Sequence, residues 1–207
     1  MTTTHLRQDT SRNQDQLLKV AQKLLAESAG ALSMRELAAE AKVAPATVYR
    51  YYGSIEGVVE AFRSNVIADV VEFSAGSQET GVLLLKAVCL RWVDLVCKDG
   101  RAMSHSRSRE GYLARLRKGA PDIKMQEAAM ARPLAEACAE LGIKIGGEEA
   151  LFLWNQIFDP RDVLDLMESL GLSRAAVTEK LTGALIGALK GWTTDRHPEA
   201  GQAQESL

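Results

Sequence analysis

Apolar residues recur at helical spacing along almost the whole chain, and no alternating run long enough for a strand interrupts them. Leu17, Val20, Ala21, Leu24 and Leu25 follow the i, i+3, i+4, i+7, i+8 pattern of one helix face. Ser33 and Glu36 form an S-x-x-E capping box, in which each side chain satisfies a free backbone N–H of the other residue. A second helix is therefore expected to start there and run to about Ala41. Pro45 suits the first turn of a third helix, where its missing N–H leaves nothing unpaired. Gly53-Ser54 ends that helix and caps a fourth, which carries Val58, Val59, Phe62, Val66 and Val70 to about Phe73. Three short helices thus feed one long one.

Beyond residues 74–80 the same periodicity continues with different faces. Over residues 82–97, Lys86, Arg91, Asp94 and the nearby Lys98 occupy less than half the wheel and the rest is apolar, the pattern of a helix in the middle of a bundle. Pro121 opens another helix, carrying Met125, Ala128, Ala129, Leu134, Ala135 and Leu141. Gly146-Gly147 breaks the chain before a helix over 148–158, which Pro160 is expected to terminate or kink. A short helix over 161–170 ends on Gly171, and Ser173 caps a last helix that runs to about Trp192. The fold class is all-α.

Composition narrows the function. The net charge of −2 gives no overall attraction to nucleic acid, so any such surface must come from local arrangement. The most apolar run is interrupted by Lys86, Arg91 and Asp94, whereas a membrane span needs about 20 mostly apolar residues. Residues 1–16 are polar and read as no signal peptide. The three cysteines lack a C-x-x-C spacing, which suits a reducing cytoplasm; Cys89 and Cys97, on one apolar helix, are expected to be buried. His5, His105 and His197 form no local ligand set, so no metal and no cofactor is expected. No nucleophile stands beside a base and no phosphate loop is present, so no catalytic residue is assigned. An all-α enzyme and a helical protein-binding adaptor are the rival classes. A basic, acid-free recognition face would separate a DNA-binding regulator from the adaptor.

Residues 32–62 read LSMRELAAEAKVAPATVYRYYGSIEGVVEAF, a helix, a turn at Lys42-Val43-Ala44 and a short second helix: a helix-turn-helix. Between Ala41 and Ile55 the charged residues are Lys42 and Arg50, with no acid to repel phosphate. Thr47, Tyr49 and Tyr51 add hydroxyl donors for backbone contacts.

This stretch resembles the DNA-binding domain of the TetR family of regulators. The resemblance rests on the Ser33 box, the R-x-L-A-x-x-A run of Arg35 to Ala41, Val43-x-x-x-Thr47-Val48-Tyr49, Tyr52 and Glu56, and covers about a third of the chain. It implies that Arg35 reaches a base edge, most plausibly guanine, and that Pro45 and Ala46 lie against bases. It also implies that Thr47, Tyr49 and Tyr51 bind phosphates. Three positions depart from the family pattern. Ala44 replaces a serine cap worth about 1 kcal/mol, Lys42 replaces a turn glycine, and Ile55 replaces a phosphate-binding lysine. The implied organisation is a helix-turn-helix domain over 12–58, joined by the long fourth helix to a ligand-binding and dimerisation bundle over 59–195. Tails at 1–11 and 196–207 are expected to be disordered.

In the last helix, Gly183, Gly187 and Gly191 recur every four residues, with Ala184 and Ala188 beside them. Glycine inside a helix costs about 1 kcal/mol against alanine, so three at this spacing indicate a close-packed face. Leu181, Leu185, Leu189 and Trp192 supply the neighbouring apolar stripe. The resemblance assigns this helix to a two-fold dimer interface, with the 148–158 helix and its Leu151, Phe152 and Trp154 as the other member. The alternative is packing within one chain. Trp92, Met103, Tyr112, Met125 and Trp154 are candidates to line a ligand pocket, with core packing as the alternative. The segment 101–118 carries Arg101, Arg107, Arg109, Arg115, Arg117 and Lys118 against the single acid Glu110. It reads as solvated surface, with attraction of an anionic effector as the alternative. The implied partners are a double-stranded operator, a second copy of the chain and an unidentified small molecule, with no membrane. By family habit the regulator would be a repressor.

Overall fold

Caps and turn residues set the helix boundaries. The computed structural model describes residues 2–27, 32–104 and 110–192, with side chains from Asn13 onward. Among the described residues it forms ten helices and no strand. They are α1 (Thr2–Glu27), α2 (Met34–Glu40), α3 (Pro45–Tyr52), α4 (Ile55–Gly76) and α5 (Gly81–Met103), then α6 (Tyr112–Lys118), α7 (Pro121–Glu140), α8 (Gly147–Ile157), α9 (Pro160–Glu168) and α10 (Arg174–Trp192). The all-α class is as expected. Helix α1 reaches back to Thr2, through the segment expected as an N-terminal tail. The expected C-terminal tail, 196–207, lies outside the described residues. Pro160 neither ends nor kinks α8. It sits at the start of α9, behind an Asp159 cap that accepts from Arg161 N–H at 2.9 Å. Helix α6 was not anticipated, because the dense arginines of 101–118 hide its apolar positions, Tyr112 and Leu116.

In the N-terminal unit the Ser33 box is complete. Ser33 N–H donates to Glu36 Oε2 at 2.9 Å and Glu36 N–H donates to Ser33 Oγ at 3.2 Å. These bonds to Ser33 hold the Glu36 carboxyl below its ordinary range. Helix α2 ends in a Schellman turn, with Val43 N–H donating to Ala38 O at 2.9 Å and Lys42 N–H to Ala39 O at 3.1 Å. The turn puts Lys42 at φ +56°, in the left-handed region usually given to glycine. Helices α6 and α7 close the same way, but with Gly119 and Gly142 at the left-handed position. Leu37, Ala38 and Val48 are buried together and lock α2 to α3. Ser54 caps α4 by accepting from Gly57 N–H at 3.2 Å. A Cβ on Gly57 would stand 2.1 Å from Tyr52 O, so only glycine lets the chain turn this closely from α3 into α4.

Helix α5 is the centre of the body. Leu84, Leu85, Val88, Cys89, Trp92, Val93 and Val96 are all buried, and α1, α4, α7, α9 and α10 pack around it. The Trp92 indole donates to Phe158 O at 3.0 Å and meets Trp154 edge-on, ring centroids 4.8 Å apart. Cys89 is buried as expected, but Cys97 is exposed. Eight residues turn a helix about 80° past two full circles, enough to carry the second thiol out of the core. Across the joint between head and body, Gln22 of α1 donates to Asp99 of α5. Burial raises the Asp99 carboxyl above its ordinary value, opposed by Lys98 and by the Gln22 bond.

Candidate nucleic-acid interface and internal cavity

Most of the residues expected to meet DNA around the turn between α2 and α3 are exposed. Arg35 in the first turn of α2, Lys42 in the turn, and Pro45, Ala46, Tyr49 and Arg50 on α3 are all exposed, Tyr49 to 51% despite its aromatic ring. Thr47 and Tyr51 are half-buried. The Arg50 guanidinium lies 5.0 Å from the centre of the Tyr51 ring, with its Nη2 3.4 Å from the Tyr51 hydroxyl. Among the described residues no carboxylate pairs with Arg35, Lys42 or Arg50, while Lys23 just behind them pairs with Glu40 at 3.0 Å. The face is therefore basic and short of acids, and α3 commits only Val48 to the core.

The departures have local consequences. Ala44 gives α3 no side-chain cap. Ile55 is half-buried and packs against the core, where a lysine would have to reach outward. Tyr52 is half-buried, its hydroxyl donating to Gln14 O at 3.3 Å, and burial raises its phenol to about 12. It acts as a strut between α1 and α3.

A cavity of about 310 Å3 is lined, among the described residues, by Arg63 of α4, Met103 and Ser104 at the end of α5, Glu110 and Gly111 before α6, and residues of α6, α7, α8 and the start of α9. Of the five residues expected to line a pocket, Met103 and Tyr112 do so. Trp92 and Trp154 are spent on each other in the core, and Met125 packs against the core outside the lining. Of the polar residues of the wall, Arg115 and Glu110 were named beforehand as part of the 101–118 segment, whereas Arg63, Asp122 and Gln126 were not singled out. Asp122, almost fully buried, receives Arg115 Nη2 on Oδ1 at 2.7 Å and lies 3.7 Å from Arg63 Nη1. Arg115 also meets Glu60 at 3.1 Å, and Arg63 donates to Met103 O at 2.6 Å. Burial lowers the Arg63 guanidinium from its ordinary value. Glu60 and Arg63 belong to α4, so the helix that leaves the reading head also forms part of the cavity's charged network. The only signal available in the sequence was polar residues at core positions, such as Asp122 and Gln126 beside Ile123, Ala129 and Met130. It becomes visible only once the helix register is known.

The described basic residues of 101–118 are neutralised locally. Arg101 pairs with Glu168 at 3.0 Å, Arg117 with Glu148 at 2.8 Å, and Lys118 with Glu110. Arg107 and Arg109 lie outside the described residues.

On α10, a Cβ added at Gly183, Gly187 or Gly191 would meet nothing within 4 Å. Among the described residues nothing crowds the Cβ positions of this glycine face. Ala184 is exposed, while Leu181, Ala188 and Phe152 are half-buried beside it. The neighbouring stripe divides: Leu185 and Leu189 turn inward to the core, while Trp192 stays out near Phe152, centroids 6.2 Å apart. Leu151 and Trp154 of α8 are likewise core and not part of this face. Periodicity alone merged two faces that the bundle separates.

Comparison with known proteins agrees with this geometry. Residues 17–62 match the family model described as bacterial regulatory proteins, tetR family. A tetR-family transcriptional regulator from Streptomyces coelicolor shares the fold, with a TM-score of 0.55 at 18% identity over 88% of this chain and 83% of that one. A TetR transcriptional regulator from Rhodococcus sp. RHA1 aligns with a TM-score of 0.49 at 20% identity, over 87% and 97% of the two chains. No curated protein matches the sequence. The matched segment begins at Leu17 on α1, takes in the capped α2–turn–α3 unit, and closes at Phe62 on α4, so the similarity to the tetR family of bacterial regulatory proteins lies in this N-terminal unit.

Proposed function

We propose that this regulator is a cytoplasmic homodimeric repressor that grips a two-fold operator and releases it when a small molecule enters the body of the bundle. The observation that carries the DNA-binding reading is the exposure of the α2–turn–α3 residues, where among the described residues no carboxylate pairs with Arg35, Lys42 or Arg50. Arg35 reads a base edge, with Pro45 and Ala46 against neighbouring bases. Lys42, Thr47, Tyr49, Arg50 and Tyr51 hold the sugar-phosphate backbone. Selection of binding sites from genomic DNA with the purified protein tests the reading, and a two-fold site is the expected product. On that site Arg35→Ala costs about 1–3 kcal/mol and relaxes preference at one base pair per half-site. An equal loss on random DNA would instead make Arg35 a phosphate contact.

The open face of α10 supports the dimer. Gly183, Gly187 and Gly191 would let a second α10 approach closely, with Phe152, Leu181, Ala184 and Ala188 packed around the crossing. Gly187→Leu is expected to shift the protein to monomers in sedimentation while its helix content is kept. Among the described residues a Cβ at position 187 meets nothing within 4 Å, and leucine is the better helix former by nearly 1 kcal/mol. A variant that stays dimeric would move the interface elsewhere.

Release needs a link between body and head, and α4 supplies one through Glu60 and Arg63. A hundredfold loss of operator affinity requires about 2.7 kcal/mol of coupling, and operator must then weaken ligand binding by the same factor. The rival class, a protein-binding adaptor, requires no such reciprocity.

A further inference from the structure

We propose that Asp99 is a positioning residue for the reading head: through Gln22 it ties α1 to α5, and the charge it carries sets how firmly the two are held together. The proposal rests on the reading of the α2–turn–α3 unit as the part that meets DNA, and adds what holds that unit at one angle to the body.

The contact comes first. The head, α1 to α3, meets the rest of the chain where α1 packs on α4 and α5 and where α3 packs on α4. Among the described residues, the bond from Gln22 Nε2 to Asp99 Oδ1 is the one side-chain hydrogen bond that crosses from α1 to the body. Apolar packing tolerates small slides between helices. A hydrogen bond weakens steeply with misalignment, so this one fixes where α1 sits along α5.

The charge comes second. Asp99 is only 3% exposed, an expensive place for a carboxylate that is incompletely compensated. Its Oδ2 meets no hydrogen-bond donor among the described residues, and the nearest ammonium, that of Lys98, stands 3.9 Å away on a side chain 77% exposed. Other charged groups on the clefts that flank Asp99 are committed elsewhere. Lys23 of α1 pairs with Glu40, and Arg101 of α5 with Glu168 of α9. Arg91 of α5 pairs with Asp69 of α4, and Asp94 with Arg174. Lys19 of α1 borders both clefts from the exposed side of its helix. Burial raises the Asp99 carboxyl, while Lys98 and the Gln22 bond pull against the rise.

The direction of the effect follows. Swinging α1 away returns Asp99 to water, so its charge works against the closed joint. A proton on Asp99 removes that charge and still leaves Oδ1 to accept from Gln22. Closure therefore strengthens as pH falls through the raised range of this carboxyl, and weakens as pH rises beyond it. A firmly held head presents α3 at one spacing from its two-fold mate, and a loose one samples several.

Hydrogen exchange on the full chain tests the joint, because a helix in a folded protein owes most of its protection to packing. At neutral pH, Asp99→Asn is expected to slow exchange of residues 17–27 about tenfold and Gln22→Met to speed it about tenfold, with α7 unchanged. At lower pH the wild type should approach Asp99→Asn, a convergence that a purely structural side chain would not show. The proposal is overturned if Asp99→Asn exchanges no slower than the wild type or loses helix content. It is equally overturned if Gln22→Met leaves α1 unchanged, or if the gap between wild type and Asp99→Asn is the same at every pH. DNA binding is measured in parallel. On the selected two-fold site, Asp99→Asn should sharpen discrimination against one base pair added between the half-sites by about tenfold. Slowed exchange with unchanged discrimination overturns the positioning role. If no variant binds DNA, the DNA-binding reading falls, and exchange by itself upholds or overturns the part given to Asp99.

Discussion

Trp92→Ala is expected to lower stability by about 3–5 kcal/mol, the range for deleting a large aromatic side chain from a core. Trp92 is 1% exposed in the middle of α5. Three losses coincide: the apolar area of the indole, the edge-on contact with Trp154, and the bond to Phe158 O at the end of α8. Phe158 is itself buried, so its carbonyl would be left without that donor in a dry place. Against a typical total of about 5–15 kcal/mol, the change removes a large fraction of the folding free energy. Urea denaturation at one fixed protein concentration measures it, since self-association of a folded chain makes the midpoint depend on concentration. Trp92→Phe, which keeps most of the volume and loses the donor, should cost distinctly less. Equal costs for the two variants would mean that the hydrogen bond, and not the volume, holds α5 to α8.

Asp122→Ala has an effect of similar size by a different route. Its carboxylate is almost fully buried beside two guanidinium groups that are themselves mostly buried. Removing one partner of a buried charge network strands the rest, at about 3–5 kcal/mol. Arg115 keeps Glu60 and Arg63 keeps Met103 O, so the loss should fall towards the lower end. Because the pair is shielded from solvent, the cost should change little with salt, whereas surface pairs such as Arg101–Glu168 weaken as salt is added. Denaturation at low and high salt distinguishes the cases. A cost that collapses in high salt would show that the network is solvated. Asp122→Asn, which keeps the shape and one acceptor, should recover part of the loss.

Local chemistry made much of this fold legible. The Ser33–Glu36 box, Pro45, Gly53-Ser54, Pro121 and Ser173 each act within one turn of helix, and each marks a boundary where it was expected, whereas the helix expected over 161–170 ends two residues early, at Glu168. Helix α6 was masked because charge density was read before periodicity. The cavity was not legible because Arg63, Arg115, Asp122 and Gln126 come from three helices, and only packing brings them together. Trp92 and Trp154 looked equally suited to a pocket or a core, and composition carries no term for which neighbour they meet. The split between the inward Leu185 and Leu189 and the open glycines has the same origin. A helix face is defined by its partners, and a single sequence does not contain the angle at which they arrive.

The Schellman turn after α2 poses a choice for anyone engineering this protein. Where α6 and α7 end on the same pattern, the left-handed position belongs to Gly119 and Gly142; here it belongs to Lys42 at φ +56°. A side chain in that conformation carries roughly 1–2 kcal/mol of strain that glycine does not. A search for thermostable variants would therefore find Lys42→Gly and keep it. The same variant would discard a cation from the middle of the proposed DNA face, weaken binding to all sequences alike and flatten the salt dependence by about one phosphate per subunit. Ranking variants by melting temperature alone would thus favour a tougher protein that binds DNA less well. Screens for stability in this chain should count operator affinity beside it, because at residue 42 the two criteria pull in opposite directions.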